Sequence, residues 1–159
     1  MSIRPAVISD AEAICGIWNP LIAETATTFT TALKTPDGIA ADIADRQGAF
    51  LVAEQSGTLV GFATYFPFRG GPGYAYTKEL SINLSDAARG QGLGRVLLTA
   101  LETHAHGAGI HSLWAGVSGE NPAGVAFHAK LGFEEIARLP EVGYKFGRWM
   151  DLVLLQKRL

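Results

Sequence analysis

A chain of 159 residues with 48 % apolar and 18 % charged side chains has the size and balance of one folded domain, 1–159, not a disordered tail. A net charge of −2 excludes a general polyanion binder, so no nucleic-acid partner is expected. Apolar runs such as MDLVLL fall far short of the roughly 20 residues that cross a membrane, and the start MSIRPAVISDAEAIC has no secretory core.

The lone Cys15 excludes an internal disulfide, and its neighbours Ile14 and Ile17 place the thiol in a core. A reducing, cytoplasmic setting is the expectation, with no membrane partner.

SIRPAVI reads as a short first strand. Asp10 then reads as the N-cap of a helix with an apolar stripe of Ile14, Ile17, Trp18, Leu21 and Ile22. TATTFTTALKTP is β-branched and irregular, hence a loop. A second helix is expected from Pro36 to about Gln47, with Ile39 and Ile43 inward. AFLVAEQ and TLVGFATYFPF are strands joined by a Ser-Gly hairpin turn. RGGPGYA is a glycine-rich loop and YTKELSINL the strand after it.

ARGQGLGR follows, opening a helix with the stripe Leu93, Val96, Leu97, Ala100 and Leu101, which ends at HGAG. HSLWAGV is a further strand. Asn121-Pro122 is an N-cap and N1 pair for a fourth helix that closes at KLGF. Two strands around GYKFGRWMDLVLLQ complete the order βααβββαβαββ. Hairpin-linked strands first and crossover helices later give an α/β (α+β) class, a mixed sheet with helices on both faces.

The glycines of ARGQGLGR admit several readings. A Walker A loop needs a lysine followed by Ser or Thr, which is missing. A dinucleotide fingerprint needs G-x-G-x-x-G and an acid about 20 residues on, and the region around His111 has none. Gly90, Gly92 and Gly94 still lead straight into a helix whose first amides are free to hold a phosphate, with Arg89 or Arg95 adding charge. A turn serving only tight strand–helix packing stays open. His104 and His106 are two apart and point to different sides, so no metal is expected.

Arg89-Gly90-Gln91-Gly92-Leu93-Gly94 resembles the R/Q-x-x-G-x-G/A signature of the GNAT N-acetyltransferase superfamily. ELSINL, ENPAGVAFHAKLGF and GYKFGRWMD stand in that family's order, and the resemblance covers the chain from about residue 50 to its end. VGYKFGRWMDL, with His128 where most of the superfamily has tyrosine, is similar to the phosphinothricin and methionine sulfoximine N-acetyltransferase branch.

The resemblance implies a mostly antiparallel central sheet splayed at the cofactor site, and direct acetyl transfer from acetyl-CoA to a small amine. Arg89, Gly90, Gln91, Gly92, Leu93, Gly94 and Arg95 would cradle the coenzyme A pyrophosphate. Ile82, Asn83 and Leu84 would bond the pantetheine through their backbone, with Asn121 beside it. Glu79 would be the general base and His128 a donor to the departing thiolate. Arg69, Ser81, Phe29 and Tyr74 would meet the acceptor, with Tyr76 near them. Lys145, Arg148 and Trp149 would close the site across a homodimer interface.

Relatives carry a second arginine shortly before the glutamate and a histidine after it. This chain has GYAYT with Ala75, and then Leu80, which leaves the particular amine open. The alternatives are acetylation of a protein N-terminus or lysine, and a non-catalytic acyl-CoA sensor.

Overall fold

A computed structural model describes residues 1–159. Seven strands form one sheet: β1 (Ser2–Pro5), β2 (Phe50–Gln55), β3 (Thr58–Pro67), β4 (Thr77–Leu84), β5 (Ser112–Ser118), β6 (Glu134–Lys145) and β7 (Arg148–Arg158). Four helices accompany them: α1 (Ala11–Glu24), α2 (Pro36–Arg46), α3 (Leu93–Gly107) and α4 (Pro122–Lys130). The chain order is the βααβββαβαββ expected, and the strands lie in the order β1-β2-β3-β4-β5-β7-β6.

Only β4 and β5 pair in parallel, because α3 crosses between them; every other pair is antiparallel. The hairpins β2–β3 and β6–β7 turn through Ser56-Gly57 and Phe146-Gly147. Both residues of each pair have positive φ, as two-residue hairpin turns of the I′ kind require.

Each face of the sheet buries its own core. Leu93, Leu97, Leu98 and Leu101 of α3 pack on one side against Leu80 and Leu113. Ile14, Trp18 and Ile22 of α1, with Ile39 and Ile43 of α2, cover Phe50, Val52 and Phe62 on the other. Strand alternation assigns the β4 residues to these faces: Leu80, Ile82 and Leu84 look toward α3, Glu79, Ser81 and Asn83 toward α1 and α2.

Three local expectations are corrected. The first strand stops at Pro5, since Asp10 folds the next residues into a 3-10 turn by accepting from the Val7 amide at 2.8 Å. The Asp10 side chain is thereby diverted from capping α1. It also binds Arg4, whose hydrogen bonds hold the carboxyl below its ordinary range. On α3 Val96 is exposed; the inward stripe runs through Leu97, Leu98 and Leu101, one step around the helix.

Candidate active site

β4 and β5 pair from Thr77–Ser112 to Leu80–Ala115 and then separate. β4 stays bonded to β3 as far as Leu84, so its β5-facing edge is unpaired over the last four residues. A cleft of about 1020 Å³ opens there and passes through the sheet. Its α3 side is lined by Ile82, Leu84, Leu93, Val117, Phe127 and His128; its α1 side by Trp18, Phe29, Phe66, Glu79 and Ser81.

The glycine loop forms the α3 end. Gly90 and Gly92 have φ of 76° and 77°, a left-handed backbone that disfavours any side chain, and nothing would meet a β-carbon at either. That loop delivers α3 with no side chain capping its first turn. The amides of Leu93, Gly94 and Arg95 therefore lack partners and line the cleft. Gly94 has a second role: a β-carbon there would press on the Phe127 ring at 3.2 Å, so its absence lets α3 and α4 approach.

Arg89 and Arg95 line the cleft, Arg89 leaning on Asp86 at 3.6 Å. Gln91 does not; its side chain turns away to Gln55 and to the Ala87 carbonyl. Uncapped helix amides, open glycines and a free strand edge fit the pyrophosphate and amide-bearing arm of coenzyme A.

Glu79 is the only carboxylate lining the cleft. It has no hydrogen-bond or ion-pair partner in the chain, and burial pushes its pKa above the ordinary value. Across the split stands Gly116, whose missing β-carbon would lie 3.9 Å from Glu79 Oε2, leaving open space beside the carboxylate.

Asn121 caps α4 by accepting from the Gly124 amide at 3.0 Å, which leaves its Nδ2 uncommitted in the cleft wall. His128 is buried and donates Nδ1–H to the Gly124 carbonyl at 2.8 Å. Its Nε2 is buried without a partner, and the ring packs nearly perpendicular to those of Phe127 and Phe133, at 5.1 and 5.3 Å. Burial depresses the pKa, so the neutral ring presents Nε2 as an acceptor. Donation to a thiolate would first require protonating Nε2 against that desolvation.

The cleft brings together Phe29, Glu79, Ser81, Ile82, Asn83, Leu84, Arg89, Gly90, Gly92, Leu93, Gly94, Arg95, Asn121 and His128. Arg69, Tyr74 and Trp149 are exposed and outside it. Lys145 is corrected outright. It is 2 % exposed, and its Nζ donates to the Thr25 and Thr28 carbonyls at 2.7 and 2.8 Å. With Thr28 Oγ1 at 3.3 Å taking the third donor, the ammonium has none left for an acceptor, whether in its own subunit or across an interface; it straps the α1–α2 loop to β6. The Phe29 ring completes the strap by filling the space above Gly143.

Trp18, Leu21, Lys34, Arg46 and Phe66 also line the cleft without having been singled out from the sequence. Their signal is weak: Trp18 and Leu21 read as ordinary core stripe, and Arg46 as a basic residue in a last helical turn.

Comparison with known proteins agrees with this geometry. A curated relative, the L-methionine sulfoximine/L-methionine sulfone acetyltransferase of Salmonella typhimurium, is 37 % identical over 100 % of this chain and 95 % of its own. A Sinorhizobium meliloti phosphinothricin acetyltransferase solved with acetyl-CoA superposes with a TM-score of 0.93 at 30 % identity, covering 99 % of this chain and 88 % of that one. A Brucella melitensis structure described as a ribosomal-protein-alanine N-acetyltransferase superposes at 0.95 with 38 % identity and full coverage of both. Residues 18–133 match the acetyltransferase (GNAT) family. With the splayed sheet, the uncapped α3 and a match over most of its length, the chain belongs to that family, an N-acetyltransferase whose acetyl donor is acetyl-CoA.

Proposed function

We propose that the chain, acting as one domain, acetylates the α-amine of a small amino-acid-like acceptor, with methionine sulfone, methionine sulfoximine and phosphinothricin as the candidates. The observation that carries this is the lone, unpaired Glu79 at the point where β4 leaves β5. The names of the relatives add the acceptor class.

Acetyl-CoA, when bound, supplies a thioester carbonyl open to a neutral amine. The uncapped amides of α3, with Arg89 and Arg95, hold the pyrophosphate; Gln91 contributes only through its backbone. The free edge of Ile82, Asn83 and Leu84 binds the pantetheine arm, and Asn121 Nδ2 donates to it. Glu79 takes the ammonium proton, directly or through water, and its raised pKa makes it a better acceptor than an exposed carboxylate. Ser81 and Phe29 shape the acceptor side. His128 Nε2 accepts a hydrogen bond on the donor side.

The enzyme is a homodimer and cytoplasmic in this reading. The β6–β7 hairpin exposes Tyr144, Phe146 and Trp149, with Tyr144 and Trp149 packed at 4.9 Å, and one subunit has no use for that surface. Arg69, Tyr74 and Trp149 would reach an acceptor only from such an interface. A monomer by sedimentation would contradict it. The free, buried thiol of Cys15 suits a reducing compartment. A thiol-release assay with the three amines tests the activity: release with at least one is expected, and none with any of them removes the acceptor class.

A further inference from the structure

The cations of the cleft are unevenly used. Arg89 and Arg95 flank the glycine loop, and Lys130 ends α4. On the face of the sheet that carries Glu79 stand Lys34, whose ammonium lies over the Trp18 ring at 4.6 Å, and Arg46, the last residue of α2.

Its guanidinium is held from several directions. Nη1 donates to Thr64 Oγ1 at 2.9 Å, and that hydroxyl in turn donates to the Ala49 carbonyl at 2.8 Å. The guanidinium also lies over the rings of Phe66 and Phe50, at 5.1 and 5.6 Å. Its nearest carboxylate, Asp42, sits at 3.4 Å and is itself 42 % exposed. Of five N–H donors, one has a hydrogen-bond partner, yet the side chain is only 17 % exposed. A desolvated, rigidly aimed guanidinium with open donors is a receptor for a planar anion, which it binds through two parallel hydrogen bonds.

The sheet register fixes where that receptor stands relative to the base. Thr64 is paired with Ser81, and Phe66 with Glu79, so Thr64, the residue that anchors Arg46, is the diagonal cross-strand neighbour of Glu79. Such diagonal neighbours lie about 7–8 Å apart. An α-amino acid whose ammonium meets Glu79 and whose carboxylate meets Arg46 spans that gap with two hydrogen bonds of about 2.9 Å.

We propose that Arg46 seats the α-carboxylate of the acceptor and sets the preference for amino acids over simple amines. This rests on the proposed function above. It replaces Arg69, which is exposed and outside the cleft, as the cation for that group.

The test compares L-methionine sulfone with its carboxamide, which keeps the amine and side chain but loses the anion. The wild-type enzyme should prefer the acid by about 10- to 100-fold in kcat/KM, the worth of a charged hydrogen-bonded contact. In Arg46→Gln that preference should collapse toward one. The loss should fall on the acid's KM, with carboxamide turnover and acetyl-CoA affinity unchanged. If Arg46→Gln folds poorly, Arg46→Lys carries the test: it keeps a cation over the two rings but loses the fork, and the acid-to-carboxamide ratio should drop. A variant that loses both substrates equally, or keeps the full preference, overturns the assignment while leaving the proposed function intact. A wild-type enzyme that turns over neither compound nor any other small amino-acid amine overturns both.

Discussion

Leu80 and Ala115 are the last residues at which β4 and β5 are neighbours, and Glu79 precedes that point by one residue. The carboxylate therefore sits at the apex of the split, facing the α1 side, while the edge beyond it opens toward the α3 side. One break in a parallel ladder thus supplies both a strand edge for the donor and a desolvated base for the acceptor.

Glu79→Gln should lower kcat/KM by about 10²- to 10⁴-fold, the range for general-base loss, with acetyl-CoA affinity held within twofold. Because burial raises the folded pKa, Glu79 favours folding below its ordinary value of 4.5 and disfavours it as pH climbs through the raised one. The variant should consequently melt higher than the wild type at pH 7.5, and the gap should close in acid. Titrated melting curves and initial rates check both; full activity in the variant rules Glu79 out as base.

Gly92→Val should act on the donor alone. Holding a branched residue at a φ of 77° costs about 1–2 kcal/mol, and the loop relieves this by turning its amides out of line. The KM for acetyl-CoA should rise about tenfold while that of the amine stays put. An unchanged acetyl-CoA KM with a lowered melting temperature would show a turn serving only packing.

Lys145→Met removes the ammonium that ties β6 to the Thr25 and Thr28 carbonyls. Two half-buried carbonyls lose a charged donor, so stability should fall by about 1–2 kcal/mol. The Phe29 wall should loosen, raising the amine KM more than the acetyl-CoA KM. Hydrogen exchange across residues 25–35 reads the loosening directly; unchanged exchange there would refute the strap.

His128 is disfavoured as a cation inside the fold, so the unfolded chain takes up a proton first as pH falls below 6.5. Stability attributable to this residue is present above that value and is lost from there down to the depressed folded pKa. His128→Asn, which keeps a donor for the Gly124 carbonyl, should melt lower at pH 8 but lose less on acidification. Parallel pH slopes for the two proteins would contradict the assignment.

The glycine loop and the α4 cap were legible because backbone geometry dictates them: positive φ calls for glycine, and a free helix amide calls for Asn or Thr. Element order was legible from apolar periodicity, although the α3 stripe was misread by one step at Val96. Lys145 was assigned to the acceptor site by resemblance alone, and only the fold reveals the two carbonyls that hold it. Arg46 was invisible for a related reason. It sits 18 residues from Thr64 and finds its place through pairing between β3 and β4, which no local pattern records.

The most direct measurement is product mass spectrometry after incubation with acetyl-CoA and a panel of amines. The panel holds methionine sulfone, methionine sulfoximine, phosphinothricin, a decarboxylated amine and a peptide with an N-terminal alanine. The expected result is acetylation of the α-amine in at least one of the first three, ahead of the last two. Acetylation of the peptide alone, or of nothing in the panel, would contradict a small amino-acid-like acceptor.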